Sequence, residues 1–126
     1  GQVTAAALAS ENKLLASPAS VDSLPTSGGK EDHVSMSALA ARKAAAVVTN
    51  ARRILAVEYL CAAQGLDLLR PLTPAAGTGR AYALLRERVP MLREDRFPGP
   101  ELEAAEELIR TGRLRAAVEE AVGPLF

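Results

Sequence analysis

Apolar residues return along this chain at helical intervals, in stretches separated by proline- and glycine-bearing breaks. Val3, Ala7, Leu8, Leu14 and Leu15 follow such spacing among good helix formers, which predicts the end of a helix over residues 3–16. From Ser17 to about Asp32 the string SPASVDSLPTSGGKED carries turn chemistry and little helical drive, so a loop is expected there. From about His33 to Leu69 proline is absent, and Met36, Leu39, Val47, Ile54, Val57, Cys61 and Leu68 recur at helical spacing. That pattern predicts one long helix, with Asp32 or Ser35 as its cap and Pro71 and Pro74 marking its end. Shorter helices are expected at about 78–89, 100–110 and 112–122. Pro100 suits a first helical position, Thr111 is a candidate cap for the last helix, and Gly123 with Pro124 ends it.

The long helix is the informative element. At 1.5 Å per residue, ~35 residues span roughly 50 Å, whereas a compact domain of this length is nearer ~35 Å across. Val48, Leu55, Tyr59, Leu60 and Leu66 widen its apolar surface beyond one stripe, so segments outside this chain are expected to cover it. The fold class that follows is all-α: a long-helix bundle segment with shorter C-terminal helices. Residues 1–70 would belong to the bundle, with a site-forming loop at 17–33, and residues 71–126 to the short-helix region.

Composition narrows the function classes. Lysine plus arginine equals aspartate plus glutamate at 15 each, which leaves no basic face for phosphate binding, and nucleic acid is not an expected partner. Arg42, Lys43, Arg52, Arg53 and Glu58 interrupt the best apolar run, so no membrane span is expected. A lone cysteine, Cys61, cannot form an internal disulfide, and no signal-like segment opens the chain, so the expected compartment is a reducing cytoplasm. With 3% aromatics and abundant alanine, the core must come from close helix contacts around small side chains. Cys61 lies within the helical pattern and reads as an inert buried thiol.

No CxxC, HExxH, GxSxG or phosphate-binding glycine loop occurs, and the single histidine cannot build a histidine-rich metal site. What remains is the polar cluster from Ser27 to His33, where the long loop meets the long helix. Loops of this length are uncommon in compact domains and usually functional. Glycines at 28 and 29 permit close backbone approach, and a helix start offers amides that favour negative charge. The residues alone make Asp32 a cap, His33 a hydrogen-bonded structural residue, Lys30 a solvated cation and Glu31 a first-turn acid.

The segment QVTAAALASENKLLASPASVDSLPTS, followed by EDHVSM and then AARKA, resembles the C-terminal part of histidine ammonia-lyases, in the aromatic amino acid lyase family. The resemblance is dense over Gln2 to Leu69 and weaker after Pro71. It implies a helical homotetramer, with the rest of the lyase chain and sister subunits as partners. It also implies elimination of ammonia from L-histidine to give trans-urocanate. The implied electrophile is a methylidene-imidazolone made from an internal Ala-Ser-Gly. This chain contains no such triad, and the nearest string is Thr26-Ser27-Gly28. The electrophile is therefore expected in an N-terminal region outside this chain. The family's active-site glutamate falls on Glu31, whose implied role is to contact the substrate's imidazole or ammonium group. Many relatives carry glutamine just before that glutamate; Lys30 stands there in this chain, a cation that competes for the Glu31 charge and bears on substrate preference.

Gly1 begins in what reads as mid-helix, so the chain is expected to be part of a longer enzyme and inactive by itself. A non-catalytic helical oligomerisation module derived from the family is the alternative from another class. Within the enzyme class, a tyrosine or phenylalanine ammonia-lyase or an aminomutase is the alternative, against which EDHVSM argues.

Overall fold

The structure, a computed structural model, describes residues 1–125. Among them are five α-helices: α1 (Gln2–Leu15), α2 (Ser37–Leu68), α3 (Ala76–Arg86), α4 (Gly99–Arg110) and α5 (Arg113–Val122). The all-helical expectation holds. Contacts gather into two compact units, residues 2–51 and residues 52 onward with Gly1. The division falls inside α2.

In the first unit, α1 packs on the N-terminal half of α2. The buried Asn50 amide donates to the Glu11 carboxylate at 2.9 Å and to the Asn12 side-chain oxygen at 3.0 Å. Lys43 donates to the Ser17 carbonyl and, at 3.0 Å, to the Ser17 hydroxyl. Contacts pairing 11–12 with 50 and 17 with 43 require the two helices to run antiparallel. No residue of α1 is buried, and Val3 and Leu14 are largely exposed. Polar clamps tie this helix to α2, beside a half-buried stripe of Ala5, Leu8 and Leu15.

The α2 helix begins at Ser37, four residues later than the pattern near His33 suggests. The reason lies across the loop. The Ser23 hydroxyl accepts from the Val34 amide at 2.8 Å and donates to the Val34 carbonyl at 3.0 Å, engaging the carbonyl that a helix starting near residue 33 would need for its first turn. Asp32 is consequently not the helix cap, contrary to expectation. The side chain that reaches the first turn is Ser35, whose hydroxyl accepts from the Ser37 amide at 3.3 Å.

In the second unit, the C-terminal half of α2 joins α3, α4 and α5 around Ala56, Ala63, Leu84, Leu85, Val89, Ala105, Leu108 and Ala117. Four of these eight are alanines, the small-residue packing that the composition implied. Leu85 and Leu108 are wholly buried, each stabilising by about 1.5–3 kcal/mol relative to exposure. Helices α3 and α5 approach closely at Gly77, where an added Cβ would stand 3.3 Å from Val122 Cγ1. Thr111 does not cap α5: its hydroxyl donates to the Glu107 carbonyl at 2.6 Å and closes α4. The start of α5 falls to Gly112, whose φ of 74° makes the left-handed junction. Gln64 holds the segment after α3 by donating to the Leu92 carbonyl and accepting its amide, both at 3.0 Å.

Cys61 corrects another expectation. It is exposed, because the core covers the side of α2 bearing Ala56, Ala63 and Asp67 and leaves the cysteine outside. Leu39, Val48, Leu55 and Leu68 of the same helix are also exposed. Among the described residues no helix is long and apolar enough to cross a membrane.

Candidate functional site

The polar cluster occupies a tight reversal within the first unit. Thr26 and Glu31 form an isolated antiparallel bridge: the Thr26 amide donates to the Glu31 carbonyl at 2.8 Å, and the Glu31 amide returns a bond to the Thr26 carbonyl at 3.3 Å. Between them a single 3-10 turn, Ser27–Gly29, carries three successive positive φ angles: 56° at Ser27, 64° at Gly28 and 82° at Gly29. Left-handed backbone strains L side chains, which accounts for the glycines. A Cβ at either glycine would meet nothing within 4 Å, so here they serve the reversal and not a close packing contact. The cluster therefore lies on a closed turn, not at the helix N-terminus where the sequence placed it.

One side-chain bond inside this turn bears on chemistry. The Thr26 hydroxyl donates to Glu31 Oε2 at 2.8 Å. Glu31 is exposed, while Thr26 is half-buried, so the carboxylate stands at the surface with one oxygen tied to a fixed donor. Below it, the two bonds between Ser23 and Val34 close the base of the loop. Lys30, Asp32 and His33 are all exposed around Glu31. The Lys30 amide donates to the Ser27 carbonyl at 3.4 Å, completing the turn. An exposed carboxylate held in this way suits contact with a cation or a ring N–H.

The second unit contains an open apolar groove of about 400 Å³ lined by Val57, Leu60, Cys61, Leu68, Val89 and Leu102. Its polar neighbours Gln64, Arg86 and Glu101 are engaged with Leu92, Asp67 and Arg96, respectively.

A network in the same unit has no counterpart in the sequence reading. The buried Asp67 accepts from Arg86 Nη2 at 2.7 Å and Nε at 3.0 Å on Oδ2. Its Oδ1 accepts from the Tyr82 hydroxyl at 2.5 Å and from Arg70 at 3.4 Å. Burial works to raise the Asp67 pKa, but the bonds from Tyr82 and Arg86, with the Arg86 and Arg70 charges, outweigh it and hold the carboxyl below its ordinary value. The Arg86 guanidinium also lies 5.5 Å from the Tyr82 ring centroid. Burial pushes the Tyr59 phenol up to about 12, only partly offset by the Leu85 backbone and the Arg86 charge, while its hydroxyl donates to the Ala81 carbonyl. These groups tie α2 to α3 and are structural. An acid in the seam of Ala56 and Ala63 was the available signal for Asp67; its main partner, Arg86, is too distant in sequence to be read.

The sequence pattern of aromatic amino acid lyases matches residues 1–87. The chain belongs to the aromatic amino acid lyase family. It is 56% identical to the histidine ammonia-lyase of Symbiobacterium thermophilum over 124 residues, covering 98% of this chain and 24% of that protein. Among solved structures it is similar to the histidine ammonia-lyase of Trypanosoma cruzi, with TM-score 0.90, 44% identity, and coverage of 94% of this chain and 24% of that one. It is also similar to a tyrosine aminomutase from Streptomyces globisporus, with TM-score 0.89, 35% identity, and coverage of 95% and 23%. This lyase-family chain spans about a quarter of the length of the curated relatives it matches. The family is known for methylidene-imidazolone-dependent lyases, and the residues present do not fit as the source of that group. No Ala-Ser-Gly occurs, and Thr26-Ser27-Gly28 is committed to the reversal that pairs Thr26 with Glu31.

Proposed function

We propose that this chain forms part of a cytoplasmic, homotetrameric histidine ammonia-lyase that eliminates ammonia from L-histidine to give trans-urocanate. The observation that carries the reading is the identity of more than half its positions with histidine ammonia-lyases over nearly its whole length. In this reading Glu31 contacts the substrate's imidazole or ammonium group, and an exposed carboxylate fixed on a closed turn supports that role. Lys30, next to it, bears on substrate preference. The electrophile comes from the remainder of the enzyme, so this chain supplies one wall of the site. The exposed Leu39, Val48, Leu55 and Leu68 of α2 are surfaces for the rest of the lyase chain and its sister subunits.

The test replaces the corresponding segment of the Symbiobacterium thermophilum relative with this chain and assays the chimera on L-histidine, L-tyrosine and L-phenylalanine. Urocanate formation from L-histidine in preference to the other two is the expected result. Preference for an aromatic substrate, or a β-amino acid product, would transfer the chain to a tyrosine or phenylalanine lyase or an aminomutase. An assembled but inert chimera would favour the oligomerisation module. The isolated chain is expected to produce no urocanate.

A further inference from the structure

We propose that Thr26 is a positioning residue for Glu31, fixing the direction of its carboxylate through the hydroxyl bond to Oε2. The proposal rests on the reading of Glu31 as a substrate contact. An exposed glutamate on a loop ordinarily samples several rotamers, and a carboxylate that must meet one group of a substrate loses effectiveness when it does. Here that freedom is removed by a residue five positions away in sequence. Two backbone bonds between Thr26 and Glu31 set the distance between their Cα atoms, and the left-handed run Ser27–Gly29 keeps the reversal closed. The Thr26 hydroxyl then donates to one carboxylate oxygen at 2.8 Å and leaves the other to accept from substrate. Ser23, by taking both backbone groups of Val34, holds the same loop apart from α2, so the turn does not merge into the helix. A hydrogen bond to an ionised acceptor is short and directional, so it orients the carboxylate. Serine at position 26 would retain the donor, whereas valine would keep the shape and lose it.

The test is a double-mutant cycle in the active chimera, with Thr26→Val, Thr26→Ser and Glu31→Ala made singly and Thr26→Val combined with Glu31→Ala. Glu31→Ala is expected to cut kcat/KM for L-histidine strongly. Thr26→Val should lower it about tenfold, dividing the loss between kcat and KM in the same proportion as Glu31→Ala, and Thr26→Ser should restore it to within about twofold. In the Glu31→Ala background, Thr26→Val should change nothing further. A silent Glu31→Ala would overturn the Glu31 reading, and this proposal with it. A large Glu31→Ala effect beside a silent Thr26→Val, or losses that multiply in the double variant, would overturn the positioning role alone. If Thr26→Val does not assemble as a tetramer, Thr26→Ala is read in the same cycle, with the same outcomes deciding.

Discussion

Replacing Asp67 by asparagine keeps the shape of the side chain and removes its charge, which isolates what the buried network contributes. In the native chain Asp67 takes two bonds from Arg86 and one from Tyr82, and its side chain is 2% exposed against 14% for Arg86. Asparagine can still accept from Tyr82, but its amide cannot serve the two Arg86 donors, and a largely buried guanidinium is left without its counter-ion. Two charge-assisted bonds at about 1.5 kcal/mol each give an expected cost of about 3 kcal/mol, the low end of the roughly 3–5 kcal/mol typical of a broken buried pair. Chemical denaturation followed by far-ultraviolet circular dichroism, at concentrations where the midpoint is constant, reads this directly. The cost should also depend on pH. Because the folded-state carboxyl is held below its ordinary 3.8, its contribution is fully present above that value and is lost as pH falls through the folded-state pKa. Native and Asp67→Asn stabilities should therefore differ by a constant amount at neutral pH and converge in acid below about 3.8. A difference under about 0.5 kcal/mol at pH 7, or one that persists unchanged to pH 2, would refute the assignment of this network as a stabilising ion pair.

Three further outcomes are expected. Leu108→Ala should destabilise by about 3–5 kcal/mol, since Leu108 is wholly enclosed, whereas Leu72→Ala, at a 70% exposed position, should change unfolding by less than about 0.5 kcal/mol. The raised Tyr59 pKa contributes stability that is complete below pH 10 and lost as pH rises through about 12, so the native chain should weaken over that interval relative to Tyr59→Phe, as followed by denaturation at graded pH. Gly29→Ala meets no atom but must adopt a φ of 82°; it should loosen the reversal by about 1 kcal/mol and speed hydrogen exchange at the Thr26 and Glu31 amides roughly fivefold.

What the sequence made legible, and what it did not, divides along the range of the interactions involved. Helix existence was readable because apolar spacing and proline placement are local: α4 and α5 end within a residue or so of the expected positions. The family was readable because SVDSLPTS and EDHVSM keep unusual residues in order. The start of α2 was not readable, since the competing bond to the Val34 carbonyl comes from Ser23, eleven positions upstream, across a turn whose geometry has no helical or strand period. The same cause explains Asp32. A cap is inferred from the residue nearest an expected helix start, so an error in the start becomes an error in the cap. Cys61 failed for a different reason. An apolar stripe identifies a face that some partner covers, not which partner, and within the second unit the core covers another side of α2.

Glu31 itself gains a physical account that its place in a motif could not supply. As a first-turn helix residue it would have been held by the dipole of α2 and free to turn about its own side chain. On the observed reversal it is six residues short of that helix, and the dipole falls off within the first turn. Its orientation therefore rests on Thr26 and on the two glycines that let the chain fold back. Sequence order places Thr26, Gly28, Gly29 and Glu31 in one short string because each is a part of the same turn, and altering any of them should disturb the direction of the one carboxylate the string presents.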